Sequence, residues 1–109
     1  MEAVFVEERP IEGAERRVGP GTTVGRAEAD VALPDPDVSR RHAQFHRVDA
    51  GIGIEDLGSR NGTYVNDQRI SGITTIAEGD RVRFGNTVWR MTGSATGAGA
   101  DTERLPASA

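Results

Sequence analysis

The chain has 109 residues with no cysteine, and its 17 acidic and 13 basic side chains leave a formal charge of −4. This length points to one domain around one core, and the missing cysteines exclude disulfides and thiolate metal sites. The acidic balance argues against a general nucleic-acid binder, which needs a basic domain, and no apolar run is long enough to insert in a membrane.

The N-terminus, Met1-Glu2-Ala3-Val4-Phe5-Val6-Glu7-Glu8, has no basic lead and turns acidic early. It does not read as a signal peptide, and a cytoplasmic setting is expected. Val4 and Val6 alternate with Ala3, Phe5 and Glu7, a period-two pattern of strand length. Gly19-Pro20-Gly21 turns the chain before a short strand at 22–25, and Asp35-Pro36-Asp37 breaks it after Leu33. Alternation returns at Ala43 and Phe45, then at Ile52 and Ile54, with Asp49-Ala50-Gly51 between them as a hairpin turn. Further turns fall at 58–62, Asn66-Asp67, 78–80 and Gly85-Asn86. The last strand signals are Val82 with Phe84, then Val88, Trp89 and Met91. Helical spacing is absent throughout. Many short strands punctuated in this way predict an all-β sandwich or barrel. From Gly93 onward the chain is small and polar, so the domain is expected to span 2–93, with 94–109 as a flexible tail or linker.

All 13 basic residues are arginine. Compositional bias accounts for most of that total, but the planar guanidinium also suits phosphate, so position has to decide. Three loops hold the informative residues. One ends at Gly25-Arg26, a second is Ser39-Arg40-Arg41-His42, and a third is Ser59-Arg60-Asn61-Gly62-Thr63 followed by Asn66. Loops of a sandwich gather at the sheet ends, where binding residues often sit. An arginine, a hydroxyl and an amide converging there would supply what a phosphate requires. Each residue also has a plainer reading. Arg26 would serve as a solvated charge, Ser39 as a local backbone cap, and Asn61 as a left-handed turn residue before Gly62. Arg40 and Arg41 are neighbours, so on a strand they would point to opposite faces.

Taken together, Gly-Arg, then Ser-Arg-x-His, then Ser-x-Asn-Gly-Thr with an asparagine three residues on, resembles the forkhead-associated (FHA) domain. The order and spacing match over about forty residues. The resemblance implies a two-sheet β-sandwich of about eleven short, mainly antiparallel strands whose loops at one end bind phosphothreonine peptides. It implies that Arg26 pairs with the phosphate, that the Ser39 hydroxyl donates to it, and that Arg40 adds a contact. Asn61 matches the residue that holds the peptide backbone. Arg60 stands at a variable position beside the phosphothreonine that is often a small hydroxyl residue. Gly25, His42, Gly62, Thr63 and Asn66 match positions that support the binding loops.

No cofactor, metal or catalytic group follows from this reading, because no acid is placed to orient His42 and no carboxylate partner is evident for His46. The partners implied are a threonine-phosphorylated protein or peptide and, as one candidate, a Ser/Thr kinase. The alternative is a scaffold domain that binds its partner without phosphate. Thr96 and Thr102 also offer an internal ligand if they are phosphorylated.

Overall fold

The structure is a computed structural model that describes residues 2–49 and 51–95. Eleven strands and no helix are present among the described residues. They form two sheets. The first, in spatial order, consists of β2 (Glu15–Val18), β1 (Glu2–Arg9), β11 (Thr87–Ala95), β10 (Arg81–Phe84), β7 (Thr63–Val65) and β8 (Gln68–Arg69). The second consists of β4 (Val31–Ala32), β3 (Thr23–Gly25), β5 (Ala43–Val48), β6 (Gly51–Asp56) and β9 (Thr74–Ile76). Every pair is antiparallel except β3 with β4. The all-β sandwich expected from the period-two pattern is the fold observed.

Alternation decides which faces pack. On β1 the inward set is Ala3, Phe5 and Glu7, while Val4 and Val6 are only half-buried. On β5 the inward residues are Ala43 and Phe45, and on β10 they are Val82 and Phe84. The two inner faces meet around Trp89. Phe5, Phe45 and Phe84 surround its ring at centroid distances of 5.7, 6.5 and 5.2 Å. Each such aromatic contact adds about 0.5–1.5 kcal/mol beyond burial.

Glu7 is the exception on that face: it is 2% exposed and would be costly there alone. Arg16 on β2 resolves the cost with two bonds to Glu7 Oε1, of 3.0 and 3.3 Å. The Ile11 amide donates to Glu7 Oε2 at 3.1 Å, which pins the β1–β2 loop to the same carboxylate.

The final strand runs two residues past the boundary expected at Gly93, and Ala95 pairs with Glu2. Residues 96–109, with Thr96 and Thr102, lie outside the described residues. The sandwich brings three loops to one end: β3–β4, carrying Arg26; β4–β5, carrying Ser39 to His42; and β6–β7, carrying Ser59 to Gly62.

Phe45 contacts both Phe5 and Trp89 and is fully buried. Phe45→Ala should therefore cost about 3–5 kcal/mol of unfolding free energy. Urea denaturation of the two proteins measures this, and a loss under about 1 kcal/mol would show that the aromatic cluster is not the centre of the core.

Candidate functional site

Gly25 begins the site because nothing larger fits there. A Cβ at this position would sit 1.9 Å from the Arg40 carbonyl oxygen and 2.7 Å from its carbon. The glycine lets the first two loops lie backbone against backbone. Their contacts include the Arg26 amide donating to Ser39 O at 2.9 Å and the His42 amide donating to Val24 O at 2.9 Å. Arg26 then directs its side chain along the second loop. Its Nε donates to Val38 O at 3.1 Å, which fixes the guanidinium plane while the side chain stays exposed.

His42 ties the second loop to the third. Its imidazole is fully buried and packs edge-on to Phe84 with centroids 5.8 Å apart. The Ser39 amide donates to Nδ1 at 3.1 Å, so Nδ1 is an acceptor. Nε2 therefore carries the proton and donates to Gly62 O at 2.8 Å. These two bonds assign the tautomer and set the spacing of the loops. Gly62 itself has φ +85°, a left-handed conformation that favours glycine.

The third loop is built around a residue that the motif did not single out. Asp56 Oδ1 accepts from the hydroxyls of Ser59 and Thr63, and Oδ2 accepts from the amides of Gly58 and Ser59. Burial pushes this carboxyl up, but the bonds from Ser59, Thr63 and Gly58 outweigh it and hold it below the ordinary value of 3.8. Ser59 Oγ also accepts from the Gly62 amide at 2.8 Å, which closes the turn. The Arg60 amide donates to Ser39 Oγ at 3.0 Å, so that hydroxyl accepts from the protein, and its own proton has no acceptor among the described residues. Asn61 Nδ2 donates to Asp37 O at 2.8 Å, which leaves its amide oxygen free among the described residues.

A second acid holds the β4–β5 loop. Asp35 is 6% exposed. Its Oδ1 accepts from the Asp37 amide, and its Oδ2 accepts from the Asn86 amide and the Thr87 hydroxyl, all at 2.9 Å. Burial raises this carboxyl, and the bonds from Asp37, Thr87 and Asn86 lower it further than burial lifts it.

Arg26, Pro36, Ser39, Arg40, Arg60 and Asn61 line one recess of about 180 Å³, together with Asp37 and Val38. All five residues expected to contact the ligand are thus brought together. Among the described residues none of Arg26, Arg40 or Arg60 forms an ion pair. Arg40 and Arg41 lie in the loop, ahead of β5, so strand alternation does not sort them; Arg40 lines the recess and Arg41 does not.

The supporting residues separate into two groups. Gly25, His42, Gly62 and Thr63 act on the loops. Asn66 does not: its side chain bonds Asp80 Oδ1 and the Arg81 amide, both at 3.0 Å, at the far end of β7. Its place in the motif belongs to the β7–β8 turn, where it adopts φ +51°. His46 also departs from expectation, because Glu55 Oε1 lies 2.8 Å from its Nε2.

Residues 22–85 match the profile of the FHA domain. The chain belongs to the forkhead-associated family. It resembles an oxoglutarate dehydrogenase inhibitor of Corynebacterium diphtheriae, 48% identical over 68 residues, which are 61% of this chain and 46% of that protein. It also resembles the glycogen accumulation regulator GarA of Mycolicibacterium smegmatis, 42% identical over 67 residues, which are 61% of this chain and 42% of that protein. The match thus spans about half the length of these curated relatives. Among solved structures it resembles one described as phosphothreonine-dependent FHA domain interactions. That likeness has a TM-score of 0.76 at 26% identity over 88% of this chain and all of the other.

The lowered carboxyl of Asp56 carries a pH signature. A group held below its unfolded value stabilises the fold fully above that value and loses the contribution as pH falls through the folded one. Asp56→Asn, which turns an amide group toward backbone donors, should cost about 1–3 kcal/mol at neutral pH. The deficit should shrink as pH falls below 3.8. Chemical denaturation across pH 2.5–7 tests this against an unchanging deficit, the mark of a purely steric loss.

Proposed function

We propose that the recess formed by Arg26, Ser39, Arg40 and Arg60 takes the phosphate of a phosphothreonine in a partner protein, with Asn61 holding the peptide backbone. The observation that carries this is the convergence on a single small recess of one hydroxyl residue and three arginines that form no ion pair among the described residues. A phosphate carries about −1.5 to −2 charge at neutral pH. Charge-assisted bonds contribute about 1.5–3 kcal/mol each, so two or three of them separate phosphorylated from bare peptide by orders of magnitude. The Arg26 guanidinium is held in plane by its bond to Val38 O, and Ser39 Oγ already accepts from Arg60 N. Both groups are therefore oriented before a ligand arrives, which lowers the cost of binding.

The action proposed is recognition without chemistry. His42 has no ring nitrogen available to activate Ser39 Oγ, since Nδ1 faces the Ser39 amide and Nε2 faces Gly62 O. A general base must reach the proton it removes. The names of the curated relatives, an inhibitor and a regulator, agree with a module that acts by binding. The partner proposed is a protein phosphorylated by a Ser/Thr kinase, or the kinase itself. A cytoplasmic setting, where ATP-dependent kinases act on threonine, fits this role.

Degenerate phosphothreonine, phosphoserine and unphosphorylated peptide libraries titrated into the domain test the reading. Binding should saturate with phosphothreonine and be absent from the bare peptides. Arg26→Ala should weaken it by about tenfold to a hundredfold or more while leaving the folded state intact, as one lost charge-assisted bond requires. Equal binding of phosphorylated and bare peptides would instead assign the recess to a phosphate-independent partner.

A further inference from the structure

A second concavity lies beside the recess and has the opposite character. Pro10, Ile11, Leu33, Pro34 and Pro36 line an apolar cleft of about 230 Å³ between the β1–β2 and β4–β5 loops. Pro36 belongs to both concavities. A notch formed by Asp37, Asn61, Arg83, Gly85 and Asn86 shares Asp37 and Asn61 with the recess and Asn86 with the cleft. The surface is therefore continuous from the arginines to Ile11.

Ile11 is 62% exposed, one of two large apolar side chains so exposed among the described residues. It does not ride on a loose loop. Its amide bonds the buried Glu7 carboxylate, the Gly13 amide donates to Glu7 O at 2.8 Å, and the Glu7 amide donates to Ala14 O at 2.7 Å. Three prolines stiffen the rim. Three charged groups border it: Glu7 pairs with Arg16 at 3.0 Å, and the buried Asp35 carboxylate is occupied by the Asp37 and Asn86 amides and the Thr87 hydroxyl. A rigid depression, mainly apolar and with its charged groups already partnered within the protein, suits a hydrocarbon side chain.

We propose that this cleft receives one large apolar side chain of the same phosphorylated partner, from a residue beyond those that cross the notch. The proposal rests on the phosphothreonine reading of the recess and extends it. The continuity of the two concavities selects the occupant, since a chain anchored by its phosphate is led along the notch toward Ile11. The phosphate would supply dependence on the kinase, and the cleft would supply choice among phosphorylated partners.

A leucine walk tests it. A polar phosphothreonine peptide that binds the domain is remade with a single leucine at each position out to eight residues on either side, and affinities are measured by fluorescence anisotropy. At one offset, leucine should tighten binding by on the order of tenfold, the effect of burying one such side chain. Ile11→Gln should remove that gain and leave the parent peptide's affinity unchanged, because Ile11 does not line the recess. The Ile11 methyl resonances should respond to the leucine peptide, while those of Ile73, the other exposed isoleucine, stay still.

If the parent peptide binds and no offset gains from leucine, or the gain survives Ile11→Gln with the Ile11 methyls unmoved, the cleft proposal is wrong and the phosphate site stands. Self-association abolished by Ile11→Gln would give the cleft to a second copy and overturn the proposal. If no phosphothreonine peptide binds at all, the reading of the recess fails and the cleft proposal falls with it.

Discussion

The binding end depends on one buried imidazole. His42 accepts from the Ser39 amide and donates to Gly62 O, so a single ring sets the distance between two loops that are twenty residues apart in sequence. Its edge-on contact with Phe84 connects that clamp to the aromatic cluster around Trp89. Core packing and loop geometry are thus one system: what holds the sheets together also holds the recess open. Gly25 completes it by letting the Arg40 backbone approach to a distance that no side chain would permit.

Electrostatics divide the work between the two signs of charge. The chain is acidic overall, and one acid, the exposed Asp37, lines the recess, but the acids that order the loops turn their carboxylates to neutral donors of the protein. Asp56 gathers two hydroxyls and two amides, and Asp35 gathers two amides and a hydroxyl. Elsewhere, Glu7 and Glu8 engage Arg16, Arg81 and Arg90. Arg26, Arg40 and Arg60 remain without ion pairs among the described residues, and they line the same recess. A local positive site on a negative domain therefore needs no excess of basic residues. Acids that accept backbone donors can order the loops without neutralising the cations.

Much of this was legible in the sequence. Alternation located the longer strands, and the three loop motifs named five of the eight residues that line the recess, Pro36, Asp37 and Val38 being the others. What escaped has physical reasons. Strands such as β4 and β8 have two residues each, too few to show a period, and the parallel β3–β4 pair exists only through tertiary contact. Asp35 and Asp56 look like ordinary turn acids, because their partners become neighbours only when the loops fold. Glu7 reads as a surface charge until Arg16 is placed beside it by β1–β2 pairing. Asn66 shows the opposite limit: it keeps its motif position but serves a turn at the other end of β7. Ile11 has no pattern around it, and its exposure emerges only from the way Glu7 pins its loop.

The central claim is that the recess is ordered in advance and meets phosphate directly. Isotope-labelled domain titrated with a phosphothreonine peptide, followed by nuclear magnetic resonance, addresses both parts. The account predicts large phosphate-dependent shifts at the Arg26 side-chain Nε–H, the Arg60 amide and the Asn61 side-chain amide. The His42 ring should keep its Nε2–H tautomer, with its bond to Gly62 intact in free and bound forms. Shifts that are identical with the unphosphorylated peptide, or a His42 ring that changes tautomer on binding, would contradict it.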